Sequence, residues 1–164
     1  MIYQLRCEMT APVSIARAFE IFENPYNLAK LTPAWLNFRV VSREEIVMRA
    51  GAEIDYVIRW MGFPIRWKTR ITAYDPPLGF VDEQESGPYR LWRHQHTLQE
   101  TATGTVVSDC VTYQLPLGIL GGIAHRLTVK RQLLEIFRFR QRAIAEMLEA
   151  PGVRFDEPVI RPVA

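Results

Sequence analysis

Cysteine is almost missing from this chain: Cys7 and Cys110 are the only two among 164 residues. They are far apart and form no C-x-x-C pair. A cysteine zinc site is therefore excluded by count, and a disulfide framework is not indicated. Both are expected as buried free thiols. Charge of one sign is also missing. Lys and Arg total 20 against 18 Asp and Glu, a formal net charge of +2. That balance lacks the electrostatic footprint of a nucleic-acid binder, so none is expected as a partner. No apolar run approaches the roughly 18 residues of a membrane-spanning helix. The opening Met1-Ile2-Tyr3-Gln4-Leu5-Arg6 has no basic stretch followed by an apolar one, so no secretory signal is expected and the cytoplasm is the expected compartment. The sequence has no G-x-G-x-x-G, Walker loop, G-x-S-x-G or H-E-x-x-H, which leaves nucleotide, flavin and protease chemistry without support. No cofactor and no resident metal are expected.

What is present is ordinary globular material, 48% hydrophobic and 23% charged, in one domain's length of chain. Tyr3, Leu5, Cys7 and Met9 alternate with Gln4, Arg6 and Glu8, the period-two pattern of a half-buried strand. Pro12 opens a short helix that Asn24-Pro25 ends. A second short helix is expected from Tyr26 to about Leu31. Strands are then expected at Phe38–Val41, Glu45–Met48, Ile54–Met61, Ile65–Tyr74, Phe80–Glu85, Tyr89–Glu100 and Thr105–Leu115, with turn residues between them. Ile123, Leu127, Leu134, Phe137, Ile144 and Leu148 fall near one helical face, predicting a long helix over about 124–149. Its apolar stripe needs a partner, and only the sheet is long enough. Residues 116–122, apolar and Gly-rich, read as a flexible gate. Residues 150–164, with Pro151, Pro158 and Pro162, read as an extended or poorly ordered tail outside a single domain of residues 1–149. Deleting Val153–Ala164 should then cost little.

Several local strings stand in a fixed order. They are Ala11-Pro12-Val13, Asn27-Leu28, Leu31-Thr32-Pro33, Ala50-Gly51, Pro64-Ile65-Arg66-Trp67, Asp75-Pro76-Pro77, Phe80-Val81-Asp82, Gly87-Pro88-Tyr89 and Trp92-Arg93-His94-Gln95-His96. With the element order, they make residues 1–149 resemble the START-like superfamily, in particular its bacterial polyketide cyclase/dehydrase-like members. The resemblance implies an α+β helix-grip fold: a curved antiparallel sheet of about seven strands around a long C-terminal helix, with two short helices after the first strand. It also implies a cavity between sheet and helix for a small hydrophobic ligand such as a lipid, an aromatic or a polyketide-like molecule. One scaffold carries binding proteins and enzymes alike, so no catalytic assignment transfers.

Strand parity nominates the residues of such a cavity. Trp92, His94, His96 and Leu98 share a face. If the hairpin closes around Thr101–Gly104, Glu100 sits opposite Thr105, His96 opposite Asp109 and Trp92 opposite Tyr113, whereas a register shift of two would set Asp109 beside His94 or Leu98. Three roles are open for this cluster: a satisfied core pair, a polar anchor for a ligand, or acid/base catalysis with His94, His96, Asp109 and Tyr113 as the candidates. A metal site from the two histidines and Asp109 has donor types but no further histidine or cysteine at a telling spacing. Trp67, Gln84 (with Phe80 and Asp82 on its face) and Phe137 complete the expected ligand-binding set. The last helix carries Arg126, Lys130, Arg131, Arg138, Arg140 and Arg142. They read as a solvated face, with contact to an anionic membrane or a partner protein as the alternative.

Overall fold

The computed structural model describes residues 1–163. Strand β1 (Ile2–Ala11) leads into helix α1 (Ile15–Glu23) and two short 3-10 turns, Pro25–Ala29 and Ala34–Leu36. Strands β2 (Arg39–Val40), β3 (Glu53–Trp60), β4 (Phe63–Asp75), β5 (Gly79–Ser86), β6 (Leu91–Thr101) and β7 (Gly104–Gln114) follow. Helix α2 (Gly118–Ala124) runs through a π-helical turn (His125–Val129) into α3 (Lys130–Leu148), and β8 (Arg154–Phe155) and β9 (Val159–Val163) close the chain. The sheet is antiparallel in the order β2-β3-β4-β5-β6-β7-β1, with β8 and β9 both on the free side of β1. The long helix packs across its concave face. This is the expected helix-grip arrangement.

Each element has a local cause. Ser14 caps α1 by accepting the Arg17 N–H, satisfying one of the orphan donors of a helix start. The apolar side of α1, with Ala18, Phe19, Ile21 and Phe22, is buried. Gly79 holds a positive φ of 145° and Gly104 one of 133°, a region that favours glycine. A Cβ at Gly79 would strike the His96 carbonyl, and one at Gly104 the Ala11 carbonyl. The two glycines thus let β5 and the β6–β7 turn close on their neighbours.

Several expectations are corrected. The sheet has nine strands rather than about seven, and Glu45–Met48 lies outside them. Residues 116–122 border the cavity as expected, through Pro116, Leu117, Leu120 and Gly121, but are helical from Gly118 onward. The expected stripe fails at its start: Ile123 and Leu127 are exposed, and His125, Val129, Leu133, Phe137 and Gln141 are turned inward instead. Their spacing of four would drift about 40° per step on a regular α-helix, and the wider π turn offsets part of that drift. Finally, the tail is extended but not free. Val159–Val163 pairs with Ile2–Arg6 of β1, and Ile160 is buried in the same apolar cluster as Leu5, Val111 and Phe137. The tail's pattern is simply too short to read as a strand. Only Cys7 of the two thiols is buried; Cys110 is half-buried.

Ile160→Ala is therefore expected to destabilise the protein by about 2–5 kcal/mol, and truncation after Gly152 by at least as much. Urea denaturation followed by far-UV circular dichroism checks both. Unchanged midpoints would mean that the tail contributes nothing to the core.

Candidate functional site

Between the middle of the sheet and α3 lies a cavity of about 410 Å³, within the usual range for small-molecule sites. All four tryptophans of the chain, Trp35, Trp60, Trp67 and Trp92, line it, with Phe22, Phe80 and Phe137. Two hydrogen bonds tie its walls together: Trp60 Nε1 donates to Gln132 Oε1 at 2.8 Å and Trp35 Nε1 to Glu135 Oε1 at 3.0 Å. Trp35, Leu117 and Leu120, all exposed, stand at its rim.

One part of the lining is polar. Tyr56 of β3, Thr69 of β4, Asp82 of β5 and His94 and His96 of β6 all contribute to it, and Arg140 of α3 also lines the cavity. The Tyr56 hydroxyl and Thr69 Oγ1 are 3.3 Å apart. The β6–β7 hairpin has the expected register, with Trp92 opposite Tyr113, His96 opposite Asp109 and Glu100 opposite Thr105. His94 and His96 are both buried.

The two histidines and two carboxylates form a closed cluster. His94 Nε2 lies 2.8 Å from Asp109 Oδ1, and His96 Nε2 lies 3.1 Å from Asp82 Oδ2. His94 Nδ1 is 3.6 Å from the same Asp82 oxygen. His96 Nδ1 is 2.9 Å from Asp109 Oδ1 but poorly aligned with it, so it makes a charge contact and no proper hydrogen bond. The buried Arg140 Nε, 4.0 Å from Asp109 Oδ2, has no hydrogen-bond partner.

Burial alone would raise the Asp109 carboxyl. The contacts with both imidazoles and the nearby Arg140 charge hold it well below the usual carboxylate range. Asp82 is likewise lowered against its burial, by His96 and then by the His94 charge. Burial and the neighbouring His96 lower His94. Burial also opposes a charge on His96, but its contacts with Asp109 and Asp82 prevail and raise it. The same cluster thus pushes the two imidazoles in opposite directions, with Arg140 as a further cation beside Asp109. Such a cluster can orient a polar group, pass a proton, or offer nitrogen and oxygen donors to a cation.

Not every expected residue reaches the cavity. Trp67, Trp92, His94, His96 and Phe137 line it. Asp109 stands behind the histidines and outside the lining. Tyr113 is fully buried in the apolar cluster of Leu5, Val111 and Ile160, where its hydroxyl meets His125 Nε2 at 2.8 Å and the His125 ring stacks on Tyr3. Gln84 has been claimed by the chain itself. Its amide donates to the Tyr89 carbonyl at 2.7 Å and accepts the Tyr89 N–H at 3.2 Å, clasping the β5–β6 turn. Two members of the ionisable cluster were not among the expected site residues, nor were Trp35, Tyr56, Trp60 and Thr69 of the lining. Asp82 was visible through its parity with Phe80, whereas Arg140 was indistinguishable from the other helix cations.

No protein-family model matches the chain, and no curated protein matches it. Solved structures do. TTHA0849 from Thermus thermophilus has a TM-score of 0.70 at 21% identity, covering 91% of this chain and 99% of that one. Major latex-like protein 151 of Panax ginseng has 0.65 at 14%, covering 89% and 97%. Ara h 8.0201 has 0.58 at 19%, covering 91% and 99%. At these identities the likeness establishes the helix-grip fold.

Removing one charge from a closed buried cluster leaves the others uncompensated. Asp109→Asn is expected to cost roughly 3–5 kcal/mol in chemical denaturation. Glu53→Gln, which loses only the exposed ion pairs to Lys68 and Arg70, should leave the midpoint almost unmoved. Equal effects would contradict the burial and pairing of Asp109.

Proposed function

We propose that the protein binds a small, largely apolar molecule, rich in aromatic or extended hydrocarbon surface, between sheet and long helix. The observation that carries this reading is the composition of the cavity wall. Four tryptophans converge on one space, although each could have filled it by packing inward. The polar part of the wall gives such a ligand an orientation: an oxygen-bearing end would face His94, His96 and Arg140, with the apolar body among the aromatics. The helix-grip fold is compatible with carriage and with catalysis. The cyclase/dehydrase type of chemistry would need that same polar end to act on the ligand's oxygens.

Ligand entry should quench or shift the intrinsic fluorescence, since every tryptophan borders the cavity. An environment-sensitive apolar probe is expected to bind saturably at one site and to be displaced by aromatic or acyl compounds. Trp67→Ala should weaken it on the order of tenfold, equivalent to about 1.4 kcal/mol. Probe binding that is non-saturable, or indifferent to Trp67, would overturn the reading.

A second reading concerns the rim. Leu117, Ile119, Leu120, Ile123 and Leu127 are at least half exposed, an uncommon run of apolar surface on one short helical segment. From Leu115 to Leu134 there is no acidic residue, while Arg126, Lys130 and Arg131 are cationic. Apolar side chains flanked only by cations fit an anionic lipid surface, which is also a source of apolar ligand. Flotation with vesicles containing phosphatidylserine should carry the protein. Pure phosphatidylcholine should carry less, and Ile119→Asp with Leu127→Asp should abolish the association. Flotation unaffected by the double substitution would exclude this segment as the contact.

A further inference from the structure

We infer that Asp82, His94 and His96 form a binding site for one divalent transition-metal ion, of the zinc or ferrous type, open to the cavity. This goes beyond the hydrophobic-ligand reading and does not depend on it. One donor atom from each of the three residues lies within 4.8 Å of the others. Asp82 Oδ2 is the common point, 3.1 Å from His96 Nε2 and 3.6 Å from His94 Nδ1. Donors held about 2.0–2.1 Å from a tetrahedral ion are about 3.3 Å apart. The two separations to Asp82 are thus close to a metal's coordination edges, and the third, between the two histidine nitrogens, is within 4.8 Å, so a rotation of the two rings toward Asp82 would complete the set.

The far sides of the rings supply the second observation. His94 Nε2 and His96 Nδ1 lie 2.8 and 2.9 Å from one oxygen of Asp109. Metal-bound histidines usually give their other N–H to a carboxylate, which fixes ring and tautomer. Here a single buried carboxylate stands behind both rings, on the side away from the cavity, and Arg140 stands beside it. The His96 Nδ1 that now lacks an aligned acceptor would gain one from a small rotation of its ring. Asp82, His94 and His96 line the cavity whereas Asp109 does not, so the first three can present the ion's remaining positions to a bound molecule.

Two histidines and one carboxylate with open positions suit zinc or ferrous ion better than the hard cations, which take oxygen donors. One carboxylate leaves a divalent ion with a positive charge, because the charge of Asp109 is matched by Arg140. The ligand drawn to the open position would therefore carry an anionic oxygen, such as a carboxylate, enolate or phenolate, on an apolar body.

The test uses the purified full chain freed of metal with EDTA. Cobalt(II) is titrated with visible absorption as the readout, and zinc(II) by calorimetry. One equivalent of each is expected to bind, zinc with a Kd of about 1 µM or tighter. His96→Ala and Asp82→Asn should abolish saturable binding. Asp109→Asn should retain one site with affinity lowered about 10–100-fold. His125→Gln, remote from the three donors, should bind as wild type. Absence of a saturable cobalt spectrum in the wild-type protein would overturn the proposal, as would wild-type affinity in Asp82→Asn, whose amide keeps the side-chain shape. Apolar-probe binding is measured in EDTA on the same sample, so loss of either property is read separately from the other.

Discussion

The pairing of β6 with β7 is the constraint on which the rest of the site depends. Side chains alternate along a strand, so a slip of one residue would turn His94 and His96 to the outside. The tight Thr101–Gly104 turn prevents that slip, with Thr101 paired to Gly104 and the Thr101 hydroxyl bonded to the Gly104 carbonyl at 2.9 Å. β7 in turn pairs with β1 along nearly its whole length, and β1 takes β9 on its other edge. The chain's two ends thus brace the hairpin that carries the histidines.

Five ionisable groups beside an apolar cavity are an expensive arrangement, and each alone would lose its charge or destabilise the fold. They persist because they face one another. Two carboxylates, two imidazoles and a guanidinium share contacts of 2.8–4.0 Å. A hydrophobic replacement of similar volume would be as stable or more so, so stability is a weak reason for the cluster. Its position at the wall of the cavity, among four tryptophans, is the stronger one. The result is a pocket with one polar region in an aromatic enclosure, matched to an apolar molecule with an oxygen-bearing end.

Much of this was legible before the structure. Period-two alternation read β1, β6, β7 and β4 as far as Ile71 correctly, a bulge then turning Ala73 outward, and parity with the Thr101–Gly104 turn yielded the His96–Asp109 and Trp92–Tyr113 pairs. What parity could not convey is depth. Asp109 and Tyr113 share the concave face, yet one is shielded by the histidines and the other by Tyr3 and His125. Gln84 shows a related limit: its side chain turned back onto Tyr89, a contact that depends on the shape of a turn. The helix misled for a geometric reason, because a regular 3.6-residue period cannot anticipate the π turn at His125–Val129. Arg140 belongs with these. Six cations on one helix look alike until the fold decides which of them meets a buried carboxylate.

Native mass spectrometry of the protein, gently purified without detergent, tests the central claim most directly. A small apolar molecule should accompany the folded chain at one per protein and be released on denaturation. Reloading the emptied protein with an aromatic or acyl compound should restore a one-to-one adduct. A bare chain mass that no such compound shifts would contradict a binding cavity between sheet and helix.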